Sequence, residues 1–131
     1  MTPADPDGCN YVGRGVYYGG ASVSDAEECR GEDVYIVGGA NSAGQAAMFM
    51  SKTAKSVTLL VRGPPSLEAS MSHYLIEQIE GNDKIDVKTC TEVVDTVGED
   101  GHLSGLVLLN RQSGERATVP SGRLWLLHWR E

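Results

Sequence analysis

The sequence predicts an α/β fold in three layers, built from a parallel sheet, helices and an antiparallel β-meander. Two strand-like runs, Asp33–Val37 and Ser56–Val61, are apolar almost without alternation, which is typical of strands that are buried on both faces of a parallel sheet. Between them, apolar residues recur at helical spacing. From Thr91 onwards the period changes to two, which indicates antiparallel strands with one exposed face.

The segment between the two strands predicts a helix that packs closely on the sheet. Its apolar residues fall at positions i, i+3, i+4, i+7 and i+11, namely Ala43, Ala46, Ala47, Met50 and Ala54. Because most of these side chains are alanines, the helix can lie close to the strands. A strand, a helix and a second strand within about thirty residues form a βαβ unit. This unit predicts a Rossmann-like domain.

The elements after this unit follow from the same patterns. A second helical period runs from Leu67 to Ile79 and ends at Gly81. The predicted strands that follow are Ile85–Lys88, a meander of Glu92–Val97, Leu103–Asn110 and Arg116–Val119, and a last buried strand Leu124–Leu127. Before the first βαβ strand, Gly13–Gly20 holds a short aromatic strand-like piece, and Ser24–Cys29 has room for one or two helical turns.

Composition bounds the class of protein. A chain of 131 residues with 40% apolar residues has room for one domain with a real core. The net charge of −7 argues against nucleic acid as the main partner. There is no apolar run of about 18–20 residues that could cross a bilayer, and the first residues carry no secretory signal, so we expect no membrane partner and a cytoplasmic location.

The three cysteines, Cys9, Cys29 and Cys90, are widely spaced and form no Cys-x-x-Cys pair. We therefore expect ordinary thiols and no local redox or zinc pattern. The histidines also lack Cys, Asp or Glu neighbours at the spacing of metal ligands, so no metal site is predicted. We predict no catalytic side chain from the sequence, and His73 in the second helix is interpreted as a surface or packing residue.

The turn between the first strand and the helix predicts a dinucleotide site. A dinucleotide pyrophosphate needs a sharp turn, close approach of the backbone and a helix N-terminus aimed at the phosphates, which the pattern Gly-x-Gly-x-x-Gly/Ala supplies. Gly38 takes the first place and Ala43 the third, but Ala40 stands in the middle place, where Gly39 could share its role. Asn41 or Ser42 can cap the helix and reach phosphate oxygens. The alternative interpretation is a purely structural strand-to-helix turn.

The residue that follows the second strand indicates which dinucleotide is bound. NAD and FAD sites usually place Asp or Glu there, whereas this chain has Arg62. An arginine can pair with a 2′-phosphate through charge-assisted hydrogen bonds, so NADP(H) is favoured over NAD(H), and FAD at this turn is disfavoured. The alternative is that Arg62 is a solvated surface charge.

Five segments in order resemble thioredoxin reductases, and more closely the bacterial thioredoxin-reductase-like flavoproteins that lack the redox cysteine pair. The segments are Gly13–Tyr18, Asp33–Ala47, Leu59–Arg62, Ser70–Leu75 and Thr91–Val93, and the resemblance covers roughly residues 11–125. It implies an NADPH domain that passes hydride to FAD, with Gly38 to Ala43 around the pyrophosphate and Arg62 on the 2′-phosphate. It also implies a homodimer of the full-length enzyme.

The chain departs from that family in three places. Gly19–Val23 stands where thioredoxin reductases carry Cys-Ala-Thr-Cys, which puts thioredoxin as substrate in doubt. Gly63–Pro65 stands in place of further arginines, which implies a modest selectivity for NADP. Leu127–Glu131 replaces the return into an FAD domain.

These departures, together with the presence of a single dinucleotide turn, predict a fragment that binds NADP(H) weakly and does not turn over by itself. FAD would then belong to the full-length enzyme, on an FAD-binding domain or chain that acts as the partner. We expect a loop-rich N-terminal segment (residues 1–31), an NAD(P)-binding domain (32–127) and a tail (128–131). The alternative is a non-catalytic nucleotide-binding or interaction remnant of such an enzyme. The final electron acceptor stays open.

Overall fold

The computed structural model of the protein describes residues 15–18, 27, 30–38, 41–61, 72–121 and 123–126. The elements in these ranges are, in chain order, β1 (Val16–Tyr18), β2 (Asp33–Val37), α1 (Asn41–Met50), β3 (Ser56–Leu60), α2 (His73–Glu80), β4 (Ile85–Lys88), β5 (Thr91–Glu99), β6 (His102–Asn110), β7 (Arg116–Pro120) and β8 (Arg123–Leu126).

The strands form two sheets. The larger sheet has the order β1-β8-β2-β3-β4, and every neighbouring pair in it is parallel. The smaller sheet is the antiparallel meander β5-β6-β7. The last strand, β8, therefore returns from the meander and inserts between β1 and β2. The predicted α/β fold with a parallel sheet and a β-meander is confirmed.

One face of the parallel sheet is covered by the two helices. We call the buried residues between them the helix-side core, in which the alanines of α1 let the helix approach the strands. Its members are Val34, Ile36, Ala43, Ala46, Ala47, Met50, Ala54, Val57, Leu59, Val61, Leu75, Ile76, Ile79 and Trp125. All five apolar positions of the predicted first helical face are among them.

The other face of the parallel sheet is covered by the meander. Residues that alternate with the helix-side core along the strands point to this face, as the two-residue period of a strand requires. The meander-side core contains Val16, Leu60, Val93, Leu103, Leu106, Leu108 and Leu124. Helices, parallel sheet and meander are the three predicted layers, and the sheet between the two cores explains why its strands are apolar without alternation.

The boundaries of several predicted elements shift by a few residues. Helix α1 ends at Met50, and Ala54 is buried in the bend that follows. The described part of the second helix begins at His73, where the Ser72 hydroxyl accepts a hydrogen bond from the Leu75 N–H, and Gly81 caps its end as predicted. The predicted start of that helix at Leu67 lies outside the described residues.

Some predictions fall mostly outside the described ranges. Of the expected helical turn at Ser24–Cys29, the structure describes Glu27 alone, which is helical. The aromatic strand-like piece at Gly13–Gly20 contains β1, which pairs with β8 in the parallel sheet. Among the described residues, no helix is long and apolar enough to cross a membrane.

Candidate functional site

A tight turn connects β2 to α1. Gly38 is buried directly after β2, and its N–H donates a 3.1 Å hydrogen bond to the Leu60 carbonyl at the end of β3. Helix α1 begins at Asn41, so two residues separate Gly38 from the helix. The last residues of β2 and β3, Val37 and Leu60, are register partners. The turn therefore lies where the first two strands of the βαβ unit end side by side.

The N-terminus of α1 suits an anion. Its first turn contains no acidic residue, so the partial positive charge of the helix end is not neutralised from within the helix. Ala43 in this turn is 1% exposed and packs in the helix-side core, and Gly44 beside it is also buried. This close packing is what the third position of the glycine pattern requires.

The turn also lies at the point where the order of the sheet reverses. From β2 the chain proceeds outward to β3 and β4, whereas β8 and β1 occupy the other side of β2. In open α/β sheets, ligands bind outside the carboxyl ends of the strands at such a switch point. The crevice beyond the ends of β2, β8 and β3 is therefore the candidate site.

The described residues bring part of the predicted site together. Gly38, Ala43 and the backbone of Asn41 and Ser42 lie in one strand-to-helix turn, with both of the last two in the first turn of α1. The structure describes the backbone of Asn41 and Ser42 but not their side chains. Three further predicted residues lie outside the described ranges, namely Gly39, Ala40 and Arg62. The assignment of these seven residues to a dinucleotide stays a prediction.

Val61, which directly precedes Arg62 in the sequence, is buried at the carboxyl-terminal edge of the parallel sheet, directly after β3. Its N–H donates to the Lys88 carbonyl at 2.9 Å, and its carbonyl accepts from the Thr91 N–H at 3.0 Å. The connection from β4 to β5 therefore runs beside the end of β3. The Cys90 carbonyl in that connection accepts a 2.7 Å hydrogen bond from the Arg111 N–H.

Sequence reasoning missed Arg111 at this edge. It stands directly after β6, in the turn that leads to β7, and its guanidinium lies 3.8 Å from the Glu92 carboxylate. No local pattern distinguishes it from any other charged turn residue. Its position follows from the long-range pairing of β6 with β5, in which Thr91 faces Asn110.

Two titratable side chains that the structure describes, Tyr35 and His73, lie away from the candidate site and interact with neighbouring side chains. Burial raises the pKa of the Tyr35 phenol, a hydrogen bond with Thr58 opposes this, and Asp33 and Asp86 add to the increase. Tyr35 packs against the meander-side core, away from α1. His73 is exposed and pairs with Glu77 at 2.9 Å on α2. Within the described ranges, no group of three or more His, Cys, Asp or Glu could hold a metal ion.

Known proteins similar to this chain agree on one class of enzyme. Residues 33–111 match the family described as pyridine nucleotide-disulphide oxidoreductase. The bifunctional thioredoxin reductase/thioredoxin of Mycobacterium leprae is 34% identical over 108 residues, which are 82% of this chain and 22% of that protein. The thioredoxin reductase of Mycolicibacterium smegmatis is 33% identical over 105 residues, or 76% of this chain and 32% of its own length.

Solved structures show the same fold. The crystal structure of thioredoxin reductase from Streptococcus pyogenes superposes with a TM-score of 0.79 at 27% identity, and the match covers 88% of this chain and 36% of that one. The chain thus spans about a third or less of the length of these relatives. Because the family match extends over more than half of the chain and the fold agrees with it, the chain belongs to the pyridine nucleotide-disulphide oxidoreductase family.

Proposed function

We propose that this chain is the NADP(H)-binding module of a thioredoxin-reductase-like flavoprotein oxidoreductase and donates hydride to FAD held outside this chain. The observation that carries the proposal is the N-terminus of α1. It follows the buried Gly38 at the switch point of a parallel sheet, and the first turn of the helix contains no acidic residue. Membership of an oxidoreductase family supplies the class of reaction.

In this proposal the glycine turn and Arg62 bind different parts of NADP(H). Gly38 to Ala43 surround the pyrophosphate, and the N–H groups of the first turn of α1, which lack partners within the helix, are the donors. Arg62 pairs with the 2′-phosphate of NADP(H), because a guanidinium matches a phosphate in a bidentate way. The nicotinamide, when bound, supplies a hydride. The protein residues hold and orient it.

The proposed organisation places the NAD(P)-binding domain at residues 32–127, between the N-terminal segment 1–31 and the tail 128–131. Strand β1 of the N-terminal segment pairs with β8 and so contributes to the same sheet. The partner is an FAD-binding domain or chain, in a cytoplasmic enzyme that is a homodimer at full length. This scheme is supported by relatives that are three or more times longer than the matched part.

The first experiment tests coenzyme binding. We expect calorimetric titration of the 131-residue chain to show that NADPH binds at least roughly tenfold more tightly than NADH, the gain from a charge-assisted contact to the 2′-phosphate. The variant Arg62→Gln should lower the affinity for NADPH roughly tenfold and leave the affinity for NADH unchanged. Equal affinities in the unaltered chain would remove the role given to Arg62, and absence of binding by both coenzymes would refute the proposed function.

The second experiment tests where the flavin belongs. The purified chain is examined for a flavin absorbance band, and NADPH oxidation is followed at 340 nm, roughly the nicotinamide absorption maximum. We expect neither signal, because the sequence holds a single dinucleotide turn. A stoichiometric flavin band would contradict the assignment of FAD to a site outside this chain.

A further inference from the structure

We propose that Arg111 is a second cation for the 2′-phosphate of NADP(H), and therefore a determinant of coenzyme specificity at the edge described above. This inference rests on the proposed function and adds to it a residue that lies 49 positions after Arg62 in the sequence. It is carried by hydrogen bonds that place the turn between β6 and β7 beside the end of β3.

Two successive backbone contacts connect Arg111 to the end of β3. The Val61 carbonyl accepts from the Thr91 N–H at 3.0 Å, and the Cys90 carbonyl accepts from the Arg111 N–H at 2.7 Å. Hydrogen-bonded neighbours of this kind are about 5 Å apart, and the consecutive residues Cys90 and Thr91 are about 3.8 Å apart, so the Arg111 backbone lies within about 14 Å of that of Val61. The Arg111 side chain extends over part of that distance. The 2′-phosphate of a ribose bound over the end of β3 covers the rest, so the two groups can meet.

The backbone at Arg111 is fixed by its own turn. The Asn110 side-chain oxygen accepts hydrogen bonds from the N–H groups of Gln112 at 2.9 Å and Ser113 at 3.2 Å. The Asn110 carbonyl accepts a further bond from the Gly114 N–H at 2.7 Å. Because the turn is already ordered, binding of an anion by Arg111 orders its side chain and not the loop, which reduces the entropic cost.

The guanidinium of Arg111 can change its partner. Its side chain is 55% exposed and lies 3.8 Å from the nearest Glu92 carboxylate oxygen. Charge-assisted contacts of full strength are about 2.7–2.9 Å long, so this is a loose pair at the surface, and such pairs contribute little. A phosphate dianion offers more charge and several acceptor oxygens, so it competes successfully with Glu92 for the guanidinium.

A neighbouring cation is less suited to the same role. The ammonium group of Lys88 at the end of β4 is also loosely paired, 3.6 Å from the carboxylate of Asp86, but it is a point charge without the bidentate geometry of a guanidinium. The sequence directly after Arg62 is Gly63–Pro65 and supplies no basic side chain. The geometry thus favours a second cation that comes from the meander and not from the β3–α2 connection.

The experiment compares three variants of the 131-residue chain in calorimetric titrations with NADPH, NADH and adenosine 2′,5′-bisphosphate. Arg111→Gln removes the charge, and Arg111→Lys keeps it without the bidentate geometry. Arg30→Gln is the matched control, because Arg30 is a similarly exposed arginine that pairs with Glu27 just before β2, at the opposite edge of the sheet. Circular dichroism verifies that each variant is folded.

We expect Arg111→Gln to weaken binding of NADPH and of the bisphosphate roughly five- to tenfold, as for loss of one charge-assisted contact at a partly exposed site. Binding of NADH should stay the same, Arg111→Lys should lie between, and Arg30→Gln should match the unaltered chain. If Arg111→Gln changes the affinities for NADPH and NADH by the same factor, or changes neither, the inference about Arg111 is wrong. If the unaltered chain binds no coenzyme, the proposed function itself fails, so the two failures are distinguishable.

Discussion

Replacement of Lys84 by methionine should destabilise the fold at the end of α1 that is opposite to the candidate site. The Lys84 ammonium group donates hydrogen bonds of 3.0 Å to the carbonyls of Ser51 and Ala54, in the turn that ends the helix. These carbonyls lie in the turn that directly follows the helix, close to the negative end of its dipole. Methionine keeps the length of the apolar stem and removes the donors and the charge.

The expected loss in the free energy of unfolding follows from these two contacts. A hydrogen bond to a charged group contributes about 1.5–3 kcal/mol when buried. The Lys84 residue is exposed, so water replaces much of that contribution when the donor is removed. The interaction with the helix dipole adds about 0.3–1 kcal/mol. We therefore expect a total loss of about 1–2 kcal/mol and a decrease in Tm of roughly 4–8 °C.

Urea denaturation followed by circular dichroism measures this loss, and Lys55→Met is the matched control. Lys55 is exposed next to the same turn, and its described contact is a 2.8 Å backbone bond to the Glu32 carbonyl, which methionine preserves. The control removes the same charge and should change stability by less than about 0.5 kcal/mol. Equal losses in the two variants would show that net charge, and not capping of α1, is responsible, and would refute the reasoning.

Two further predictions concern the sheet and its turn. Trp125→Ala should lower the free energy of unfolding by about 3–5 kcal/mol, because Trp125 is 1% exposed and stacks on Tyr17 with ring centroids 4.3 Å apart; a loss below 1 kcal/mol in urea denaturation would contradict this burial. Ala40→Gly should tighten binding of NADPH and NADH alike by a few-fold in calorimetry, since it removes a methyl group from the middle position of the glycine turn. Unchanged affinities would argue against close approach of the pyrophosphate there.

The fold class could be predicted from the sequence because the burial of each strand and helix determines the pattern of apolar residues within it. Strands β2 and β3 lie between the two cores, so consecutive residues such as Leu59 and Leu60 are both buried, on opposite faces. This requirement removes alternation from the sequence of a central parallel strand. The alanines of α1 recur at helical spacing because they form the one face of the helix that is buried against the sheet.

The order of the strands could not be predicted from such local patterns. Strand β8 pairs with β2 through contacts such as Val34 with Arg123, which are 89 positions apart. Arg123 then donates to the Glu32 carboxylate at 3.1 Å and also to the Tyr17 hydroxyl, so it connects β8 to both of its neighbours in the sheet. Nothing in the immediate neighbourhood of Arg123 in the sequence indicates either partner.

The same distinction applies to the candidate site. The strand end, the glycine turn and the helix start are contiguous in the sequence from Val37 to Ala43. The spacing of the glycine pattern can therefore be recognised from the sequence alone. Arg111 reaches the edge through the pairing of β5 with β6 and the bond from its N–H to Cys90. A residue of this kind is found only when the meander is placed on the parallel sheet.

If Arg111 contacts the 2′-phosphate as proposed, its position in the fold bears on how coenzyme preference changes. Arg111 is bound to the domain by its backbone, whereas its side chain is half exposed and outside both cores. Substitution of such a side chain alters the charge at the edge at little cost in stability, in the range of about 0.5 kcal/mol that is usual for surface positions. Ala43 is different, because it is packed between α1 and the strands, where a larger side chain would destabilise the fold. Under the proposed role of Arg111, the meander would tune the choice between NADPH and NADH while the βαβ unit keeps the geometry of the proposed pyrophosphate site.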